Sequence, residues 1–476
     1  MTRVRLILGC LLLLAAAAVP AVALAGERIP VGFQDDPSFR WRDDRAANLD
    51  AARTADASII RTTAYWSSIA PTRPTNATDS FDPAYHFEDI DDLVRSAEAR
   101  GMTILLTIWG TPAWANNNAG LNHAPTNMTD LRNFAQALSS RYSGRFQAQL
   151  GPLYVGYFSL WNEPNLEEFL APSYDAKGKP VAPIIYANMA RAAYAGIKAG
   201  NKKALLAIGE TSPRGRQKPI NARGTQNTIA PALFAHMVAT APGPRVRFDA
   251  WAHHPYSNLG QKPLAKVAWP NVNLSQMSRF EKSIDTWFHR KGVPIWITEY
   301  GFETKPGEPK GVTLAQQAAY AKQVFSIVEN DPRIDMFIWF IFRDDPTSTW
   351  QSGLENQDNT RKPAFSAFSG GARALDYRNP FVRIKTGSSN PVVRVPVFEL
   401  LARDGSGMTL GSTISVTYRG KSIAVKQPQS VIGVDGWASF RVPITKAQKN
   451  GLYVAYLRIG DANGNRVDRV AEFFAG

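Results

Sequence analysis

Tyr154-Val155-Gly156-Tyr157-Phe158-Ser159-Leu160-Trp161-Asn162-Glu163-Pro164-Asn165 is the stretch that decides the fold of this chain. The apolar run up to Leu160 reads as a buried β-strand, and the five residues after it set an amide and a carboxylic acid at its C-terminal mouth. A second strand of the same kind is Pro294-Ile295-Trp296-Ile297-Thr298-Glu299-Tyr300-Gly301, again closed by a glutamate.

Working outward from these two, eight strand-like segments recur: Ile29–Phe33, Ser58–Thr63, Thr103–Trp109, Tyr154–Trp161, Ala204–Gly209, Phe248–His254, Pro294–Glu299 and Met336–Phe340. Most are continuously apolar, as expected of parallel strands covered on both faces. Amphipathic helices alternate with them over Phe87–Ala99, Leu131–Tyr142, Ile184–Ala199, Gln276–Lys291 and Leu314–Glu329. Several stop at glycine or just before proline, and Thr129-Asp130 marks a start. Strand–helix alternation of this length predicts an α/β fold, a (β/α)8 TIM barrel. A doubly wound open sheet is the rival, but no glycine-rich phosphate loop follows the first strand.

After about Gly370 the pattern changes to short alternating segments separated by turns such as Asp404-Gly405-Ser406-Gly407 and Asp461-Ala462-Asn463-Gly464. This predicts a C-terminal immunoglobulin-like β-sandwich, with a linker in Ser366–Asn379 around Gly370-Gly371. The expected division is a signal peptide over 1–25, a barrel domain over 26–370 and a β-sandwich accessory domain over 371–476. The accessory module reads either as a carbohydrate binder or as a stabilising flank. Its one tryptophan, Trp437, favours the second reading.

The leader reading rests on Arg3, Arg5, the apolar stretch Leu6–Val19 and Ala23-Leu24-Ala25, which predict secretion with cleavage after Ala25. An uncleaved anchor is less well supported, because the stretch falls short of the ~20 residues a spanning helix needs. Attachment to the cell envelope is the other outcome the leader allows. The single cysteine, Cys10, lies inside it, so the remaining chain has no disulfide framework, thiolate metal site or cysteine nucleophile. The net charge of +14 is scattered rather than gathered into a stripe, which argues against nucleic acid and leaves an acidic glycan as one substrate class. No other stretch reads as a membrane span, and the chain is expected to be a monomer.

Active sites of such barrels lie at the C-terminal ends of the strands. There the sequence places Arg61, Asn162 with Glu163, His253-His254-Pro255-Tyr256, Glu299 and Trp339. Two glutamates brought by parallel strands to one face are what double-displacement hydrolysis of a glycosidic bond requires. Structurally, they could instead be buried partners of Arg61. Neighbouring His253 and His254 must face opposite sides of a strand, so only one points into the barrel. Glu210 is the one rival carboxylate. Trp161 and Ile297, two residues before the glutamates, are expected to fill barrel layers.

This set resembles glycoside hydrolase clan A, the retaining (β/α)8 enzymes that include families 5 and 39. Trp161-Asn162-Glu163-Pro164 matches the clan's acid/base strand, Thr298-Glu299-Tyr300-Gly301 its nucleophile strand, and His254-x-Tyr256 a motif common on strand six. The resemblance spans about Ile29 to Phe368. It implies Glu163 as acid/base, Glu299 as nucleophile, Asn162 on the sugar 2-hydroxyl, Arg61 and Tyr256 on Glu299, and His254 beside them. Trp339 would be the principal sugar platform. The turn Trp109-Gly110-Thr111-Pro112-Ala113-Trp114 resembles a family 39-like loop and carries Thr111-Pro112 where many family 5 enzymes have a histidine. Trp109 and Trp114, with Trp66, Tyr300 and Trp350, are further candidates for stacking on sugar or for packing helices on the barrel.

The activity implied is hydrolysis of a β-linked poly- or oligosaccharide by a secreted glycosidase. A non-catalytic carbohydrate-binding protein on the same scaffold is the alternative, whose signature would be loss of one glutamate. No cofactor is expected, and six histidines without ligand spacing give no metal site.

Overall fold

The computed structural model describes residues 29–145, 150, 153–220, 227–347, 350–375, 381–384, 387, 391–397, 408–418, 421–423, 430–432, 437–442, 451–460 and 466–475. The leader, Cys10 and the turns at 404–407 and 461–464 lie outside them.

Eight parallel strands close into a barrel in chain order: β1 Val31–Gln34, β2 Ile59–Tyr65, β3 Thr103–Trp109, β4 Tyr157–Leu160, β5 Leu205–Thr211, β6 Ala250–His253, β7 Ile295–Tyr300 and β8 Ile334–Phe340. β1 pairs with β8 to complete the ring. Each strand predicted from sequence is present within a few residues of its expected place. The five predicted helices are there as well, with Asn127, not Thr129, accepting at the N-cap of Met128–Arg141.

The barrel interior is layered. Ile59, Leu105, Ala207, Ala250, Ala252, Trp296, Met336 and Ile338 form a closed apolar plug. Above it, one alternation step further along several of the same strands, stand Arg61, Thr107 and Thr298. The plug fills the lower barrel, so polar side chains collect only at its C-terminal mouth. A much larger apolar cluster lies between strands and helices. Trp161 and Ile297 belong to it, contrary to the expectation that they fill barrel layers. Trp161 has φ 71°, which breaks the alternation at the end of β4, and Ile297 has the outward parity opposite to Trp296.

Gly32 sits where β1 and β2 approach most closely. A Cβ there would stand 1.6 Å from the Ile59 carbonyl oxygen, so no larger residue fits without moving backbone. Gly32→Ala is expected to cost about 3 kcal/mol or more, seen as a lower guanidinium midpoint with an unchanged m-value. An unaltered midpoint would mean the barrel can widen at this seam.

Gly370-Gly371 does not mark a linker. Both residues lie in the helix Pro363–Leu375, which buries Phe365 and Phe368. A Cβ on Gly371 would fall 2.1 Å from the Phe325 ring, so the glycine serves close helix packing. The Leu375 carbonyl then accepts from Ile29 N at 2.8 Å, tying this helix to the entry of β1.

From residue 381 the chain forms strands β9 Phe381–Ile384, β10 Val392–Pro396, β11 Met408–Tyr418, β12 Lys421–Ile423, β13 Ser430–Ile432, β14 Trp437–Arg441, β15 Gly451–Gly460 and β16 Arg466–Ala475. Their order is β10-β14-β13-β11-β15-β16-β9, with β12 on β11, and all pairs are antiparallel except β16 with β9. β11 pairs β13 through Met408–Leu410 and β15 through Gly411–Tyr418, so one long strand serves both halves. One apolar cluster containing Val395, Phe440, Ile414 and Leu457 joins the halves. No helix among the described residues is long and apolar enough to cross a membrane.

Candidate active site

Three glutamates reach the barrel mouth, each where strand alternation is broken. Glu163 follows β4 with φ 37°, Glu210 ends β5 with φ 46°, and the pairing of β7 with β8 shifts between Ile297 and Tyr300, beside Glu299. Left-handed φ at a non-glycine residue costs on the order of 1–3 kcal/mol, which the surrounding packing must sustain.

Arg61 is the hub. It is 1% exposed and carried by β2. Nη1 donates to Glu299 Oε1 at 2.6 Å and to Gln34 Oε1. Nη2 donates to Glu210 Oε2 at 3.2 Å and to Asn162 Oδ1 at 3.3 Å, and Nε to Thr107 Oγ1 at 3.0 Å. Binding Asn162 through its oxygen turns the Nδ2 donor away from the arginine. Tyr256 donates to Glu299 Oε2 at 3.2 Å. Glu299 is thus held at one oxygen by a cation and at the other by a phenol.

His254, not His253, turns inward. Its Nδ1 lies 3.1 Å from Glu163 Oε1 and 3.5 Å from Glu299 Oε2, while Nε2 lies 2.8 Å from Glu210 Oε2. His253 faces out to the Thr211 hydroxyl and the Val272 carbonyl. One oxygen of each of Glu163 and Glu299 and one nitrogen of His254 lie within 4.8 Å of one another. These are donor types a divalent cation accepts, but an imidazole hydrogen-bonded to carboxylates at both nitrogens has no lone pair to give.

The electrostatics separate the three acids. Burial pushes the Glu163 carboxyl above its usual range, the His254 hydrogen bond opposes this, and Glu299 adds repulsion. Burial also works against a charge on Glu210, yet Arg61 and His254 outweigh it and bring the group down to about 2. For His254 burial likewise disfavours charge, and Glu299, Glu163 and Glu210 together raise it to about 9. Carboxylates with divergent proton affinities in one site are the usual basis of acid/base assignments.

A cavity of about 670 Å³ opens over this cluster, lined by Asn162, Glu163, Tyr256 and Glu299 at its base. Trp41, Tyr65, Trp109 and Phe169 line it as one run of ring contacts, and Phe340 and Trp350 as another. Trp350 stacks on Tyr256 with centroids 5.3 Å apart and meets Phe340 edge to face at 5.7 Å.

Of the sequence candidates, Arg61, Asn162, Glu163, His254, Tyr256 and Glu299 are brought together, and Trp109 lines the cavity with Trp350. Trp339 does not. It is fully buried, donates to the Ser352 carbonyl at 2.9 Å and packs edge to face on Phe368. β8 pairs Phe33 with Trp339 and Gln34 with Phe340, so Phe340 is the residue with inward parity. Trp114 is likewise packing: Nε1 donates to Ala70 O at 2.7 Å and its ring lies between Trp66 and Arg73. Trp66 is buried on Phe134, and Tyr300 is buried beneath Tyr256. Sequence reasoning missed Trp41, Tyr65 and Gln34 on the rim. The signal for Gln34 and Tyr65 was their position at the ends of β1 and β2.

The model of the cellulase family, described as glycosyl hydrolase family 5, matches residues 30–343. No curated protein matches the chain in sequence. Among solved structures, GH5_18 from Streptomyces cattleya in complex with GlcNAc is 16% identical, with 80% of this chain and 88% of that chain covered at a TM-score of 0.53. A family 39 glycoside hydrolase from the gut symbiont Bacteroides cellulosilyticus WH2 is 18% identical, with 87% of this chain and 81% of that one covered at a TM-score of 0.51. Identities this low speak for the fold alone, whereas the family match takes in all eight barrel strands and every acid of the cluster. The chain belongs to the cellulase family, glycosyl hydrolase family 5, and is a clan A glycosidase.

Proposed function

We propose that this glycosidase is a secreted, retaining enzyme that cleaves a β-linked poly- or oligosaccharide by double displacement. The observation that carries this is that an oxygen of Glu163 and an oxygen of Glu299 lie within 4.8 Å of each other beside His254. Retaining enzymes hold their carboxyl groups about 5–5.5 Å apart, whereas inverting ones need roughly 6.5–9.5 Å to admit a water.

Glu163, with its raised proton affinity, protonates the departing glycosidic oxygen. Glu299, held and aimed by Arg61 and Tyr256, attacks the anomeric carbon from the opposite face. Asn162 offers Nδ2 to the 2-hydroxyl, a contact that tightens as oxocarbenium character develops. Glu163 then takes a proton from water, which cleaves the glycosyl ester. No cofactor or metal enters this sequence. Both glutamates are present, so the purely binding alternative has nothing in its favour.

The aromatic side chains that line the cavity, Trp109 and Trp350 among them, suit a chain of pyranose rings. Secretion rests on the Arg3/Arg5 leader with cleavage after Ala25. Residues 26–370, extended to the end of the helix at Leu375, form the catalytic domain in this reading. The strands within 371–476 form a β-sandwich accessory domain whose role is structural. NMR of the first product formed should show the β-anomer before mutarotation; an α-anomer would refute the two-step assignment.

A further inference from the structure

Glu210 has no part in a two-carboxylate mechanism, yet it is wholly buried at the end of β5 at evident structural cost. Gly209 has φ 110°, Glu210 has φ 46°, and the β5–β6 register slips between Ile208 and Thr211. A Cβ on Gly209 would stand 2.6 Å from the Ala252 carbonyl oxygen, so the turn that delivers Glu210 depends on glycine. One oxygen, Oε2, receives three donors: Thr298 Oγ1 at 2.6 Å, His254 Nε2 at 2.8 Å and Arg61 Nη2 at 3.2 Å. A carboxyl serving three donors at one oxygen is an anion.

We propose that Glu210 is a positioning residue that keeps His254 as an imidazolium and thereby reserves the catalytic proton for Glu163. The inference rests on Glu163 being the acid, as proposed above. His254 faces the Glu210 carboxylate at Nε2 and, at Nδ1, has Glu299 Oε2 at 3.5 Å beside Glu163 Oε1; a carboxylate only accepts, so the ring carries both protons. With Nδ1–H donating to Glu163 Oε1, the proton of the acid form resides on Oε2, away from the ring.

The charges facing His254 balance only if Glu210 is counted. In the acid form Arg61 and His254 are cationic, Glu210 and Glu299 are anionic, and Glu163 is neutral. Tyr256, whose ring lies 6.5 Å away, is held neutral by burial, and His253 by burial that brings it down to about 3. His253 also shows what this barrel does to an imidazole without a carboxylate at both ends. Without the Glu210 charge, His254 would become a neutral ring with an open Nδ1. That nitrogen would accept the Glu163 proton, turning it inward and away from the glycosidic oxygen.

The test pairs Glu210→Gln with Glu163→Gln on two glycosides of the same sugar, one with an activated dinitrophenolate and one with an unactivated alkyl leaving group. In Glu210→Gln, kcat/KM for the alkyl substrate should fall roughly 100-fold more than for the activated one, the signature of a misdirected general acid. Equal losses for both substrates would overturn the proposal. If Glu163→Gln itself lacks the leaving-group dependence, it is the acid assignment that fails instead. Nitrogen-15 NMR of the histidines supplies a readout free of activity. His254, assigned by its loss in His254→Asn, should be doubly protonated at neutral pH in the parent and singly protonated in Glu210→Gln. A neutral His254 in the parent sinks the idea even if the variant fails to fold.

Discussion

Glu299→Ala is expected to reduce hydrolysis of an activated aryl glycoside on the order of 10⁴- to 10⁶-fold, the scale seen when a covalent nucleophile is removed. The fold should survive, because Arg61 keeps Glu210 at 3.2 Å and Asn162 at 3.3 Å after losing its 2.6 Å partner. Circular dichroism and the melting temperature therefore separate loss of chemistry from loss of structure. Alanine also leaves a vacancy between Arg61 and Tyr256 where a small anion can enter. Added azide should attack the anomeric carbon there, expel the phenolate and yield a glycosyl azide of inverted configuration. Glu210 cannot substitute, since it is fully buried and its Oε2 is occupied by three donors. Parent-like turnover in Glu299→Ala, or an azide product of retained configuration, would remove Glu299 from the mechanism.

The barrel was legible because its strands are buried on both faces, which leaves apolar runs that alternate regularly with amphipathic helices. The pairing of Glu163 with Glu299 was legible too, since both follow such a run and its ordinal number fixes its place in the ring. What could not be read was the direction of side chains at the strand ends. Alternation predicts orientation only while the backbone stays extended, and Trp161, Glu163 and Glu210 all have positive φ. Trp339 and Phe340 illustrate the same limit. Both are large aromatics at one strand end, and only the register with Phe33 and Gln34 shows which faces the cavity. Gly370-Gly371 misled for a different reason. Two glycines normally argue against a helix, but here the Phe325 ring requires the missing side chain at Gly371, and tertiary packing overrides propensity. Trp41 lies on a π-helical turn, Pro37–Trp41, and carries no periodicity that marks it as part of a cavity wall.

Glu163→Gln should separate the two half-reactions. Its carboxyl is raised by burial, against the pull of the His254 hydrogen bond and with the help of Glu299. When Glu299 becomes an ester its negative charge disappears, so the repulsive contribution is lost and Glu163 holds its proton less tightly, favouring the carboxylate that acts as base. The residue is thereby converted from proton donor to proton acceptor between the steps, without any movement of the backbone. Glutamine can do neither. For substrates with poor leaving groups the first step should slow by roughly 10²- to 10⁴-fold, the usual contribution of general acid catalysis. For a dinitrophenyl glycoside the first step needs no acid and should proceed, while attack by water, now without a base, becomes limiting. Stopped-flow absorbance should then show a burst of phenolate close to the enzyme concentration. Mass spectrometry of the quenched enzyme should find the sugar on the peptide that contains Glu299. The parent enzyme's kcat/KM should decline on the alkaline side as Glu163 loses its proton, and the Glu163→Gln profile should lack that limb. Should the variant give neither burst nor leaving-group dependence, the proton must come from elsewhere, and the assignment of Glu163 would be abandoned.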